Sequence, residues 1–357
     1  MKKESLKMFV GGGIIGLMGV LLVTLGNPGN MGICVACFWR DIAGALGLHR
    51  AEVVQYIRPE IIGFIFGAAA ISMITGDFKA RGGSSPALRF VMGVFMAIGA
   101  LVFLGCPLRM ILRLGNGDLN ALVGLAGFIV GIVVGIQFLK RGYTLGKSVK
   151  ESKVVGLVMP AFGVMLLVLL LVKPEFIFFS QEGPGATHAP MYWSLAAGIV
   201  AGIILQRTRI CSAGAIRDVI LIKNFHFLWG ILGIFVVTLI SNLVLNGGIN
   251  IGFADQPIAH DNHLWNFLGM TLVGLTGILL GGCPIRQTIL ASEGDGDAAI
   301  TIFGLLVGAA FAHNFNLASS GKGSTPNGEI ATIIGLVVCL AAAFWIVSRK
   351  NKERTES

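Results

Sequence analysis

Charged residues are scarce in this chain. Asp, Glu, Lys and Arg make up 13% of its 357 residues, and 55% are hydrophobic, whereas soluble domains carry about 25% charged residues. The period-2 alternation that a membrane β-barrel requires is also missing. So much apolar surface cannot be hidden in a soluble fold, and helices satisfy their own backbone hydrogen bonds in lipid. The composition therefore predicts an all-α polytopic membrane protein with the lipid bilayer as a partner, and nucleic acid is not expected as one.

The apolar residues fall into separate runs along the chain. Crossing the hydrocarbon takes about 20 apolar residues, so the shorter runs cannot all be simple spanning helices. We expect about nine or ten membrane helices, together with short re-entrant or half helices that carry cysteine motifs. The first run follows three lysines but is too long for a signal peptide, so it is interpreted as a mature helix. The runs lie at residues 8–27, 61–76, 90–105, 119–138, 154–172, 191–206, 226–245, 267–282, 298–312 and 330–347.

Basic loops predict the orientation, because Lys and Arg collect on the cytoplasmic side of a membrane protein. The loop 139–153 and the tail after residue 348 are both basic. Six crossings separate them, so both lie on one side, and counting back places the N-terminus there too. We therefore expect a multi-pass protein of the bacterial cytoplasmic membrane with both termini inside. Several arginines then fall on the unexpected outer side: Arg40, Arg50, Arg58, Arg109 and Arg113.

An internal repeat explains this distribution of charge. The cysteine before Arg40-Asp41, Cys34, recurs as Cys211 before Arg217-Asp218, and Gly-Cys-Pro-x-Arg at 105–109 recurs at 282–286, both at an offset of 177 residues. Five crossings separate equivalent positions, and an odd number inverts the second half, which is a transporter architecture. The predicted organisation is a first repeat at 1–138, a basic cytoplasmic loop and linking helix at 139–186, a second repeat at 187–315, and a last helix with a basic tail at 316–357.

Each Gly-Cys-Pro motif predicts a break followed by a new short helix. Proline is best tolerated at the first helical position, so Pro107 and Pro284 are expected to begin these helices. The N-terminus of a helix presents unpaired N–H groups and a positive dipole end, which bind anions. Discontinuous helices at matching places in two halves are typical of a transport site. Nearby positive charge comes from Arg40, Arg109, Arg217 and Arg286.

Cysteine usage narrows the expected substrate. Four of the six cysteines occupy repeat-related positions: Cys34, Cys106, Cys211 and Cys283. Cys37 is matched by Gly214 in the second half, and Cys339 stands alone in the last run, where a buried apolar filler is the simplest interpretation. Thiols beside an anion site favour a soft substrate such as a sulfur or selenium species.

The paired Gly-Cys-Pro-x-Arg motifs and the cysteine before each Arg-Asp resemble the YeeE/YedE family of membrane proteins over essentially the whole chain. The resemblance implies an hourglass-shaped protein in which central cysteines relay thiosulfate inward through weak S–H···S contacts. By motif position, Cys34, Cys106 and Cys283 are the implied relay residues, and Cys211 is a weaker fourth. The additional Cys37 resembles a selenium-associated branch, so the element carried stays open between sulfur and selenium.

Three function classes remain in competition. The first is import of a small sulfur- or selenium-containing anion, with no enzyme activity and no cofactor, and with a cytosolic sulfur- or selenium-handling protein as an expected partner. The second is a membrane thiol–disulfide oxidoreductase that uses Cys34 and Cys37. The third is a soft-metal permease, which the arginines disfavour because they repel cations. No P-loop is present to supply energy from ATP.

Overall fold

A computed structural model of the chain describes residues 3–245 and 247–355. The described part is almost entirely helical, with one short 3₁₀ segment at Glu52–Val54. The helices are α1 Lys3–Thr24, α2 Val35–Ala45, α3 Pro59–Ile74, α4 Pro86–Val102, α5 Pro107–Gly115, α6 Asn120–Lys140, α7 Lys153–Val172, α8 Gly183–Ala186, α9 Met191–Thr208, α10 Ser212–Ile222, α11 His226–Leu245, α12 His263–Leu279, α13 Pro284–Ser292, α14 Gly296–Asn314 and α15 Pro326–Thr355.

Ten segments of the described chain are long and apolar enough to cross a membrane. This confirms the prediction of an all-α polytopic membrane protein. Three of the ten segments join a long helix to a short one that follows it: Pro86–Gly115, Met191–Ile222 and His263–Ser292. Large apolar side chains are exposed on the outer faces, including Leu171 on α7, Ile240 on α11 and Val337 on α15. These exposed faces are the surfaces that lipid would cover.

The core is formed by four pairs of long helices that pack closely: α1 with α11, α3 with α9, α4 with α14, and α6 with α12. Glycine makes this closeness possible, because a Cβ added at Gly12 would lie 1.9 Å from the carbonyl oxygen of Gly230. A Cβ at Gly127 would lie 2.0 Å from the carbonyl oxygen of Phe267. Small residues at helix contacts in membranes allow such backbone approach. Every one of the four pairs joins the first half of the sequence to the second.

Helix boundaries repeat at the offset seen in the sequence. Residues 35–45, 86–102 and 107–115 form α2, α4 and α5, and the helices that lie 177 residues later, α10, α12 and α13, have matching bounds. The offset also places α7 within α15, so α7 has a counterpart in the second half. Five of the ten candidate spans then lie in each half. The division of the chain at residues 138, 186 and 315 stays a prediction.

Two short strands were not predicted from the sequence. Strand β1, Arg81–Gly82, pairs antiparallel with β2, Val149–Lys150. The pairing attaches the basic loop after α6 to the connection between α3 and α4. Arg81 also forms an ion pair of 2.8 Å with Asp295, which caps α14 in the second half. Strands of two residues carry too little alternation to be recognised in a sequence.

Candidate functional site

Three cysteines of the first half meet at the starts of two short helices, and we call Cys34, Cys37 and Cys106 the first cysteine cluster. Cys34 caps α2, and its Sγ accepts a hydrogen bond of 3.4 Å from the backbone N–H of Cys37. The Sγ atoms of Cys34 and Cys37 lie 2.7 Å apart. Cys106 caps α5, and its thiol is within hydrogen-bonding reach of Cys34. All three thiols are free and buried.

The local backbone explains why α5 starts at this cluster. Cys106 is extended, with φ −82° and ψ 168°, and Pro107 begins the helix immediately after it. The predicted break before Pro107 is present, and Pro284 begins α13 in the same way. The backbone N–H groups of Arg109 and Ala36, in the first turns of α5 and α2, lie near the thiol of Cys106, which makes no capping hydrogen bond to α5. The positive ends of two helices are therefore close to this sulfur atom.

The second half builds a similar arrangement from two cysteines, and we call Cys211 and Cys283 the second cysteine cluster. Cys211 caps α10 and accepts a hydrogen bond of 3.5 Å from the N–H of Gly214, the residue that stands in place of Cys37. Cys283 caps α13, and its Sγ lies 3.5 Å from that of Cys211. Both clusters therefore place cysteines at the N-termini of a pair of short helices.

The two clusters are neighbours in the structure. Cys283 is close enough to Cys106 for their charges to interact. A hydrogen bond of 3.1 Å from Trp39 Nε1 to Thr288 Oγ1 joins α2 of the first half to α13 of the second. None of the five clustered cysteines is more than 6% exposed. In this conformation, therefore, neither cluster is open to solvent.

Arg109 is fully buried beside the first cysteine cluster. One Nη atom donates to Cys37 Sγ at 3.4 Å, while Nε donates to the carbonyl of Asn30 at 2.6 Å and the other Nη to that of Ile258 at 3.0 Å. Within the described chain, no carboxylate lies within 4.0 Å of this guanidinium. Neutral carbonyls hold the group in place without cancelling its charge, so a positive charge is available next to the thiols.

Arg286, the counterpart of Arg109, has a different environment. Its guanidinium forms an ion pair of 3.2 Å with Glu293, which is itself buried. The residue 177 positions before Glu293 is Asn116, whose amide donates to Asn30 Oδ1 at 2.8 Å. An amide in the first half thus replaces the carboxylate of the second half. Arg109 therefore has no carboxylate partner in the described chain at the place where Arg286 is paired with Glu293.

Arg40 and Arg217 are bound to the aspartates that follow them. Arg40 lies 2.7 Å from Asp41, whose second oxygen pairs with the buried Arg58 at 2.6 Å. Arg217 lies 2.8 Å from Asp218. Arg40 still acts electrostatically on Cys37, and its group of two arginines and one aspartate keeps one positive charge. The structure therefore brings Arg40 and Arg109 to the first cluster, whereas Arg217 lies in a neutral and more exposed pair.

A small cavity of about 90 Å³ adjoins the loop that holds Arg109. Its polar lining comes from Asn30, Asn116, Thr238 and Asn242, and glycines and apolar residues of α1 and α5 complete it. A water molecule occupies about 30 Å³ in the liquid, so the cavity has room for a few waters or one small anion. In the described residues, no group of three His, Cys, Asp or Glu side chains could hold a metal ion.

Several contributors to the site escaped the sequence analysis. Asn30 carried no signal, because a loop residue that acts through its backbone carbonyl cannot be recognised by type. Glu60 sits at the start of an apolar run, where a buried carboxyl could have been noticed. Cys339 is buried and lies outside both clusters, as its interpretation as an apolar filler required.

Comparison with known proteins identifies relatives of this arrangement. Residues 207–356 match the model of a family described as Sulphur transport. The chain is 33% identical over 106 residues to the thiosulfate transporter TsuA of Spirochaeta thermophila, which is 29% of this chain and 31% of that protein. It is 25% identical over 169 residues to the thiosulfate transporter TsuA of Escherichia coli, covering 44% of this chain and 47% of that protein.

The matches thus span less than half the length of either relative, and the family match covers the second half of the chain with its Arg217, Cys211 and Cys283 motifs. They agree with the family indicated by the paired motifs. The resemblance of this chain to the YeeE/YedE family of sulfur transporters is thereby confirmed.

Proposed function

We propose that this protein imports a small sulfur- or selenium-containing anion, with thiosulfate as the first candidate, across a bacterial cytoplasmic membrane. The observation that carries the proposal is the unpaired, buried Arg109 beside a cysteine cluster built from two helix N-termini. Positive charge and helix ends select an anion, and thiols select a soft one. The similarity to thiosulfate transporters supports this class of substrate.

The proposed mechanism is a handover between the two clusters. The anion is attracted by Arg109 and by the starts of α2 and α5, where the thiols of Cys34 and Cys106 donate weak hydrogen bonds to it. It then passes to Cys283 and Cys211, beside an arginine that Glu293 already neutralises. Conduction requires binding strong enough for entry and weak enough for release. A charged first cluster followed by a neutral second one meets both requirements.

The proposed architecture is a pair of inverted repeats around an hourglass-shaped pathway, with both termini in the cytoplasm. Repeated helix bounds and contacts between the halves support the repeat. Five candidate spans in each half support the inversion, because an odd number reverses the direction of the chain. The basic loop 139–153 supports the assignment of the cytoplasmic side.

Cys37 is the basis for including selenium. The second half has glycine at the matching place, so Cys37 is not needed to build a helix cap. Its Sγ accepts a hydrogen bond from the guanidinium of Arg109. A third thiol in the first cysteine cluster gives a softer site, which suits a selenium species at least as well as thiosulfate.

The decisive experiment is uptake of ³⁵S-thiosulfate into vesicles that contain the full chain, with unlabelled thiosulfate, sulfite, selenite and selenide as competitors. Cys106→Ala and Cys283→Ala should each abolish uptake, because each removes the thiol at a helix break. Cys339→Ala is the matched control and should transport normally, since Cys339 lies outside the clusters. Normal uptake in both cluster variants, with insertion into the membrane verified, would disprove the relay.

A thiol–disulfide oxidoreductase is the second candidate, and one observation favours it. Cys34 and Cys37 form a close C-x-x-C pair at a helix N-terminus, and Cys211 and Cys283 lie 3.5 Å apart as a second pair. Quinone-linked disulfide formation in purified protein would support this function. If the protein instead transports label while all its thiols stay reduced, the oxidoreductase hypothesis is excluded.

Import also needs a source of energy. Moving one charge against 100 mV costs about 2.3 kcal/mol, so a dianion entering a negative cell must overcome about 4.6 kcal/mol. Consumption of the anion by a cytosolic sulfur- or selenium-handling protein would keep its internal concentration low. We therefore propose such a protein as a partner.

A further inference from the structure

One buried carboxyl group differs from all the others in the described chain. Six carboxyl side chains are buried, and five of them lie within 4.0 Å of an arginine. The five are Asp41, Asp118, Asp218, Glu293 and Asp297. Glu60 in α3 is fully buried and has no such arginine. It lies within a candidate membrane span, where unpaired ionisable residues are rare and tend to serve transport.

The hydrogen bonds of Glu60 come from neutral groups. Asn27 Nδ2 donates to Oε1 at 2.8 Å, and the hydroxyl of Ser194 on α9 donates to the same oxygen at 3.1 Å. Oε2 has no hydrogen-bond partner in the structure. A buried carboxylate without a cation is costly, and a proton on the carboxyl removes that charge. Within the described chain, the carboxyl of Glu60 thus accepts hydrogen bonds from neutral groups only, and Oε2 has no hydrogen-bond partner.

The ionisable groups that face Glu60 are Tyr56, Arg58 and His188. Arg58 caps α3, but its guanidinium is held by Asp41 and by the carbonyls of Pro184 and Thr187. The ring of His188 stacks on that of Tyr56 with their centroids 4.1 Å apart. His188 also reaches the surface, and its partial burial lowers its pKa. A neutral His188 adds no charge at pH 7, and this exposed ring is within electrostatic range of Glu60.

Asn27 connects Glu60 to the first cysteine cluster. The Nδ2 atom that donates to Glu60 also donates to the carbonyl of Gly32 at 3.1 Å, two residues before Cys34. Its Oδ1 accepts from the backbone N–H of Ala189 at 2.8 Å, which fixes the amide in place. A hydrogen bond to an ionised carboxylate is stronger than one to a neutral carboxyl. A change of charge on Glu60 therefore alters the contact that holds the loop before Cys34.

We propose that Glu60 is the proton-binding site of a proton-coupled anion import, an inference that rests on the proposed function. A proton binds to the carboxyl from the face that carries His188 as the anion occupies the first cysteine cluster. The proton is released to the inside after the anion has moved on. At 100 mV, inside negative, a dianion alone would reach an internal concentration on the order of a thousandfold below the external one. Protons that enter with it offset that opposition.

The test uses the full chain in proteoliposomes with a trapped pH-sensitive dye, and it follows ³⁵S-thiosulfate uptake and internal pH together. In the wild-type protein, thiosulfate should acidify the lumen, and an inward proton gradient should raise the initial uptake rate by about fivefold or more. Glu60→Gln keeps the size of the side chain and removes the proton site, so both effects should disappear. Glu182→Gln removes an exposed carboxyl that the proposal does not use, so it is the matched control and should retain both effects.

Each result has a defined meaning. Label uptake without acidification in the wild-type protein overturns the coupling and leaves the proposed function intact, as does a Glu60→Gln variant that still responds to the gradient. Absence of label uptake in the wild-type protein overturns both proposals. If Glu60→Gln does not insert, Glu60→Asp, which keeps the carboxyl, takes its place and should retain acidification with a displaced pH dependence. An unchanged pH dependence in that variant counts against Glu60.

Discussion

The first and second cysteine clusters have the same backbone design and different electrostatics. In both, cysteines cap two short helices, and an arginine follows two residues after the proline. In the first cluster Arg109 has only carbonyl and thiol partners, whereas in the second Arg286 is paired with Glu293. The two clusters thus share a backbone arrangement but differ in the charge near their arginines, where Asn116 stands at the position of Glu293.

The arginine–aspartate groups near the two clusters also differ in net charge, and again the first half is the more positive. The first cluster also lies near the group formed by Arg40, Asp41 and Arg58, which carries one net positive charge and is almost completely buried. In the second half Arg217 and Asp218 form a neutral pair whose arginine side chain is 33% exposed. Buried charge acts through less solvent screening than exposed charge. Under the proposed function, the first half should therefore attract the anion more strongly than the second half.

Removing the cation from each cluster would test this contrast most severely. Arg109→Gln should lower the initial rate of ³⁵S-thiosulfate uptake by at least about 30-fold. The variant removes the cation that would pair with the bound anion, and truncating one member of a buried, hydrogen-bonded charge pair costs about 2–5 kcal/mol. The double variant Arg286→Gln/Glu293→Gln removes a neutral pair and should lose less than about fivefold. Rates are compared per inserted protein. Equal losses in the two variants would mean that the charge difference has no function.

Exchanging the partner residue should give a smaller effect. Asn116→Glu supplies Arg109 with the carboxylate that Arg286 already has, so it should raise KM for thiosulfate by about tenfold with little change in kcat. Asn116→Gln keeps an amide and is the control. The kinetics of uptake over a range of thiosulfate concentrations measure both constants. If KM stays constant in Asn116→Glu, the unpaired state of Arg109 is not what attracts the anion.

Making the second cluster more like the first should have the smallest effect on transport. A Cβ at Gly214 would make ordinary contacts, 3.5 Å from Cys211 Cβ and 3.8 Å from its Sγ, so Gly214→Cys is expected to fold. Uptake should stay within about threefold of the wild-type rate, and mild oxidation should form a disulfide between the introduced thiol and Cys211. Peptide mapping by mass spectrometry detects this disulfide. If Cys211 pairs only with Cys283 in the variant, the two C-x-x-C positions are not equivalent.

Much of the scaffold could be predicted from the sequence, because its determinants are local. Proline after a cysteine starts a helix wherever it occurs, so the breaks before Pro107 and Pro284 followed from residue type alone. The offset of 177 residues then located all the helix-capping cysteines. The count of ten spans followed from apolar runs, although α4 begins at Pro86, four residues before the predicted run.

The electrostatics could not be predicted, because they depend on contacts between distant segments. Whether Arg109 is free or paired depends on the carbonyls of Asn30 and Ile258, and a sequence does not show where a loop carbonyl points. Arg40 was expected to add positive charge near the cysteines, but the sequence did not show that Arg58 would share Asp41 with it. The pairing of Arg81–Gly82 with Val149–Lys150 also depends on distant segments, since three helices, α4, α5 and α6, separate the two strands.

The glycine contacts between the long helices limit how the protein can move. At Gly12, Gly67 and Gly127 an added Cβ would come within 2.2 Å of a backbone oxygen of the other half, so these helices touch backbone to backbone. Sliding such surfaces past each other would drive side chains into the facing backbone. A transport cycle that rocks one half against the other would disrupt all four helix pairs. We therefore expect the proposed pathway to open by local movement of the short helices that carry the cysteines, inside a rigid frame.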